Sequence, residues 1–255
     1  MNLRRIRSSF EDANPNTMNE QLNDAFETYF PRMSLPFRFF YLGLTVMLLL
    51  GFRLRKWVFG GRLLANERIV EYPQVLRWIK PGGSVLDIGC ASSRLPIQLA
   101  SLGYDVHGLD VREYPSEHPN FHFHQEDLFT WKPQRTFDTV LMISTLEHLG
   151  MGDYGDLVIP DADKQAVATI SKWLSPGGHL LVSVPFGKAS ITWRHRVYDM
   201  EHLQFLFSAF NWVDHKYFRR IDGHWMPSST AELAEIDSPG LPVNGVALLL
   251  LEKAQ

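Results

Sequence analysis

The sequence contains a single cysteine, Cys90, among 255 residues. That scarcity excludes an internal disulfide framework and a zinc cluster built on several thiolates. Within a run of small residues, a lone cysteine reads as a packed side chain. Neither sign of charge dominates: 25 Lys and Arg stand against 28 Asp and Glu, a formal net charge of −3. The chain therefore lacks the positive excess that draws a protein to nucleic acid, and no nucleic-acid partner is expected. Basic residues do not interleave with aromatics along any long stretch, and no repeat or low-complexity tract is visible. No apolar run reaches the roughly 20 residues that a bilayer-spanning helix wants. The longest, residues 39–52 (FFYLGLTVMLLLGF), falls short of that, and no cleavage pattern of a signal peptide follows it.

What is present suffices for one sizeable core plus an extension, since 45% of the residues are apolar. The stretch that organises the rest is SVLDIGCASSRLP, from Ser84 to Pro96. Val85, Leu86 and Ile88 form a short apolar run with a β-branched bias that stops at Gly89. A helical pattern is expected to begin near Ser92 or Ser93 and to continue through Leu95, Ile97 and Leu99 to Leu102. Strand, tight turn and helix in that order place a ligand site at the carboxyl edge of a parallel sheet. Asp87 at the strand end repels a pyrophosphate and suits an ammonium or sulfonium group. Asp110, ending the next apolar strand VHGLD, stands where a carboxylate takes both hydroxyls of a ribose. A cationic amino acid joined to a ribonucleoside is S-adenosylmethionine.

On these residues the chain resembles the class I S-adenosylmethionine-dependent methyltransferases. Their glycine-rich first motif is matched by VLDIGCASSRLP, the acid after the second strand by Asp110, and the acid after the third by Asp127 in HQEDLF. The fourth-strand motif is matched by FDTVLMISTLEHL and the turn before the fifth strand by LSPGGHLLVSVP. The resemblance implies an α/β fold, a doubly wound seven-stranded sheet, mostly parallel, whose last antiparallel strand is GVALLLLE at 245–252. It also implies a cofactor site of Asp87, Gly89, Ala91, Ser92, Asp110, Val111, Asp127, Leu128 and Ser144. One departure is clear: Ala91 and Ser93 stand where the family usually has glycine, and neither tolerates positive φ as glycine does. That departure, with the apolar helix of 39–52 as a docking surface, motivates an alternative, a non-catalytic cofactor-binding scaffold. A nicotinamide-dependent oxidoreductase is disfavoured, because its fingerprint needs glycines where Ala91 and Arg94 stand.

Two parts of the chain are expected, an N-terminal helical extension over 1–61 and the methyltransferase domain over 62–255. In the extension, Thr17 and Glu20 fit a capping box, and Met18, Leu22, Phe26 and Tyr29 follow at helical spacing until Pro31. Residues 39–52 lie between Arg38 and the cluster Arg53, Arg55 and Lys56. They read as a helix packed on the core or on a second copy, as a membrane-surface attachment, or as a span lengthened at the cost of an arginine and a proline. A cytoplasmic protein, peripheral to or anchored in a membrane, is the corresponding expectation. In the domain, one helix is expected to end near Glu71 and another to carry Pro73 in its first turn. Arg68 and Glu71 read as an exposed pair, with a contact to the cofactor's carboxylate as the other choice. His122 and His124 alternate with Phe121 and Phe123, and no metal is assigned because no third ligand has fitting spacing.

The cofactor carries an activated methyl group, so the protein must bind it, hold an acceptor in line, and take a proton where the acceptor needs that. His148, after strand four, is the first candidate base and His195 the second. Tyr154, Asp156, Arg194, Arg196 and Tyr198 are candidate substrate contacts, the two arginines because a guanidinium is a fork of donors. The runs GDYGD and HRVYD look similar to methyltransferases associated with surface-polysaccharide pathways. They imply O-methylation of a small molecule or saccharide, on a membrane-bound carrier in one version.

Overall fold

The computed structural model describes residues 66–152, 158–238, 240 and 243–254, together with Gly43, Met47, Leu50 and Gly51. Those last four are helical. The remainder of 39–52, the helix expected from Thr17, and the candidates Tyr154 and Asp156 lie outside the described residues. The chain divides into two units, 1–63 and 64–255, and the sheet belongs to the second. Among the described residues no helix is long and apolar enough to cross a membrane.

The order is α1 (Arg68–Trp78), β1 (Ser84–Ile88), a 3-10 turn (Cys90–Ser92), α2 (Leu95–Ser101), β2 (Asp105–Asp110), β3 (Phe121–Gln125) and β4 (Phe137–Ile143). A second 3-10 turn (Leu146–His148) follows, then α3 (Ala162–Trp173), β5 (Leu174–Pro185), β6 (Ser190–Ile191), β7 (Arg196–Val197) and α4 (Met200–Leu206). β8 (Phe210–Ile221), β9 (His224–Ser228), α5 (Thr230–Leu233) and β10 (Gly245–Lys253) complete it. The main sheet runs β3-β2-β1-β4-β5-β10-β8-β9. The first five strands are parallel, and β10 lies antiparallel between β5 and β8.

Strands buried on both faces need apolar residues at every position, which is why β1 and β10 read as continuous runs. Alternate residues serve two cores. Leu86, Ile88, Val140, Met142, Val182 and Val184 pack on one side, and Val85, Leu141, Ile143, Leu181 and Leu250 on the other. The polar excursion after β8 is an eighth strand, β9, paired in a hairpin with Tyr217–Ile221. Two helix boundaries differ from expectation. Arg68–Trp78 is one helix with Pro73 inside it. α2 starts at Leu95, because the 3-10 turn takes up Cys90–Ser92 and Ser93 is extended (φ −108°) before it.

β2 lies on one side of β1 and β4 on the other. The order in which strands are added reverses there, and the carboxyl ends of β1 and β4 leave a crevice open between them.

Candidate active site

The crevice holds a cleft of about 830 Å³, part of it open to solvent, with Gly89, Ser92, Asp110, Val111, Asp127, Leu128 and Ser144 in its wall. Seven of the nine expected cofactor residues therefore meet in one place. Gly89 turns the chain at φ +76° and donates its N–H to Leu109 O at 2.8 Å. A Cβ there would collide with the Thr145 side chain, so glycine is required for space as well as for φ. Ala91 does not appear among the non-glycine residues with positive φ, and Ser93 is extended. The two missing glycines thus leave the turn unstrained, and the scaffold alternative loses the motive it drew from that turn.

Asp110 stands on the wall opposite. Its carboxylate accepts the N–H of Ala91 at 2.8 Å and that of Arg112 at 2.9 Å. The Arg112 guanidinium lies on the same two oxygens at 3.1 Å and reaches Ser92 Oγ. A ribose diol bound here would take over the side-chain contacts of Arg112. Asp127 closes a tight turn, accepting the N–H of Phe129 at 2.7 Å, and Leu128 beside it is buried.

Asp87 lies outside the lining, behind Gly89. It is 2% exposed, and its Oδ2 has no hydrogen-bond partner. Burial pushes its carboxyl up to about 7, against the lowering effect of Arg68. An orphaned acid beside the cleft suits a cationic ligand, and Asp110 suits a diol. The residues present fit S-adenosylmethionine.

Arg68 and Glu71 do pair, at 3.1 Å, but Glu71 is fully buried and Arg68 lines the cleft. The exposed pair read from the sequence is corrected: α1 packs down on the sheet. Glu71 also accepts from Ser144 Oγ (2.7 Å) and Ser183 Oγ (2.6 Å), and Arg68 donates to Ile143 O. Ser144, at φ +47°, is thereby held at the end of β4.

A second cavity adjoins, lined by Arg68, Ser144, Glu147, His148, His195 and Val246 among others. It shares Arg68, Ser144 and His148 with the first, so His148 stands at their junction. His148 Nδ1 donates to Arg194 O at 2.8 Å, which sets the tautomer with the lone pair on Nε2. Nε2 lies 3.7 Å from Glu147 Oε1. Glu147 was missed in the sequence. It is 2% exposed with Oε2 unpartnered, and burial pushes it up to about 8. Its signal was an acid between Leu146 and Leu149, a segment that reads as exposed but whose Thr145, Leu146 and Glu147 are buried.

The other candidates turn elsewhere. His195 is 1% exposed, its Nε2 on Ser238 O (3.1 Å) and its Nδ1 near Thr192 Oγ1 (3.3 Å), so it forms cavity wall. Arg196 donates to Leu149 O at 2.8 Å, and the buried Tyr198 hydroxyl donates to Asp163 at 3.2 Å. Arg196 thereby braces the turn that carries His148, and Tyr198 is tied to α3. Arg194 contributes its carbonyl to His148, and its guanidinium lies over Trp193.

A mostly parallel sheet with a crevice at its switch point, a glycine turn and two acids on the crevice wall defines a nucleoside-binding α/β fold. A model of the methyltransferase domain family matches residues 63–221. The chain belongs to this family, and it is a methyltransferase that uses S-adenosylmethionine. Among solved structures it is similar to the Burkholderia thailandensis 1,6-didemethyltoxoflavin-N1-methyltransferase, at 15% identity over 88% of this chain and 92% of that one, with a TM-score of 0.54. A Methanosarcina mazei S-adenosylmethionine-dependent methyltransferase is 14% identical over 71% and 97%, with a TM-score of 0.51. At such identities the likeness is one of fold.

Proposed function

We propose that the enzyme methylates a hydroxyl oxygen of a small molecule or saccharide, with His148 as general base. The observation that carries this is the tautomer of His148 at the junction of the two cavities, set by its bond to Arg194 O. When bound, S-adenosylmethionine supplies a methyl group already activated on a sulfonium. Gly89 and Ala91 shape its cradle, Asp110 holds the ribose, and Asp127 with Leu128 takes the adenine. The acceptor occupies the second cavity, where Nε2 takes the hydroxyl proton while Nδ1–H stays on Arg194 O. An ionised Glu147 carboxylate, 3.7 Å away, would stabilise the imidazolium so formed. The apolar segment 39–52, with cations on both sides, suits contact with a membrane surface or a second copy, which fits an acceptor held on a lipid carrier facing the cytoplasm.

Methyl transfer to a panel of hydroxylated acceptors by wild type and His148→Ala tests the reading. The variant should bind S-adenosylhomocysteine normally by calorimetry yet turn over about 10²–10⁴-fold more slowly. Equal turnover removes the base; amine acceptors alone being methylated removes the oxygen.

A further inference from the structure

Away from the cleft, the outer strands of the sheet carry a cluster that methyl transfer does not use. β3 is the edge strand, and His122 pairs with His107 of β2. Residues two apart on a strand share a face, so Asp105, His107, His122 and His124 emerge together. One ligand atom each from Asp105, His107 and His122 lies within 4.8 Å of the others. Asp105 Oδ1 is 3.7 Å from His107 Nε2 and 3.4 Å from His122 Nε2. Around a zinc ion with bonds of ~2.0–2.1 Å, tetrahedral ligand atoms stand about 3.4 Å apart. The two distances from Asp105 are already near that spacing, and the two imidazole nitrogens lie within 4.8 Å of each other.

Two further contacts orient the set. His107 Nδ1 is 3.0 Å from His124 Nε2; with His107 as donor, its Nε2 lone pair faces Asp105 and His122. Metal-bound imidazoles are commonly held in this way through their other nitrogen. Arg135 donates to Asp105 Oδ2 at 2.8 Å, so the metal ligand is the other oxygen, Oδ1. The His122 side chain is 50% exposed, which gives an ion a way in.

We propose that Asp105, His107 and His122 bind a divalent first-row transition ion, zinc being the simplest, with a fourth position open to water. Two imidazoles and a carboxylate are the donor set such ions take. Asp105 and Asp110 stand at opposite ends of β2, about 16 Å apart at ~3.3 Å per residue. The ion would tie the edge strand to its neighbour and take no part in methyl transfer.

Chelator-stripped protein titrated with zinc chloride by calorimetry, and with cobalt(II) by visible absorption, tests this. Wild type should take up one ion per chain, show the intense bands of low-coordinate cobalt, and melt several degrees higher with zinc. His122→Ala and Asp105→Asn should abolish uptake without changing the metal-free melt. His124→Gln, which keeps all three ligands, should weaken it by about 10–100-fold. His202→Ala, which breaks a histidine–aspartate pair of 2.7 Å elsewhere on the surface, should change nothing. Wild-type uptake no tighter than that of His122→Ala overturns the site, as does a cobalt spectrum of the weak octahedral type.

Discussion

At the scale of single residues, the site depends on groups held in costly states. Gly89→Ala forces a β-carbon into Thr145 at a positive φ. Strain of about 1–3 kcal/mol is expected there, and cofactor affinity measured by calorimetry should fall by roughly 10-fold to 100-fold. Glu147 carries a pH signature. Its ordinary value of 4.5 rises to about 8 in the fold. Below 4.5 both folded and unfolded chains hold the proton, and the residue adds no slope. Between 4.5 and 8 the folded state keeps a proton that the unfolded state releases, so stability declines as pH rises through that window. Glu147→Gln should flatten the melting temperature against pH there; parallel profiles would refute the assignment. That Asp110, Asp127 and His148 would meet at one cleft was legible from the sequence, because each ends or follows a strand at the carboxyl edge of the sheet. Glu147 and the buried state of Glu71 were not, since neither acid says in sequence what will be packed over it.

At the scale of elements, boundaries were harder to read than identities. The apolar runs of β1 and β10 announce buried strands, and both formed. Pro73 suggested a break, yet α1 continues through it and lays Glu71 on the hydroxyls of Ser144 and Ser183. The helix after β1 starts later than its apolar pattern suggests, because local turn hydrogen bonds claim Cys90 to Ser92. β10 is the strand that joins the parallel half of the sheet to the β8–β9 hairpin. Leu249 on it is wholly buried in the larger core. Leu249→Ala should therefore cost about 2–5 kcal/mol, read from urea unfolding; a loss under ~1 kcal/mol would mean that β10 does not join the two halves.

At the scale of the molecule, ligand binding and folding are linked. S-adenosylhomocysteine at 100 times its Kd should add about 2.7 kcal/mol, or about 5–10 °C of melting temperature for a domain of this size. Asp110→Asn should lose most of that shift while melting like wild type without ligand. If the variant keeps the full shift, Asp110 does not hold the ribose. The sequence by itself determined the class of fold and the cofactor, because strand periodicity, a glycine turn and spaced carboxylates are local patterns with few structural solutions. Tertiary structure alone decided that Glu71 is buried on the sheet with Arg68 at the cleft wall, that Glu147 is packed away from water, that Arg196 braces the turn carrying His148, and that His107 and Asp105 stand beside His122. The last depends on which strands pair and in what register, the others on what packs over each segment, and sequence spacing carries neither.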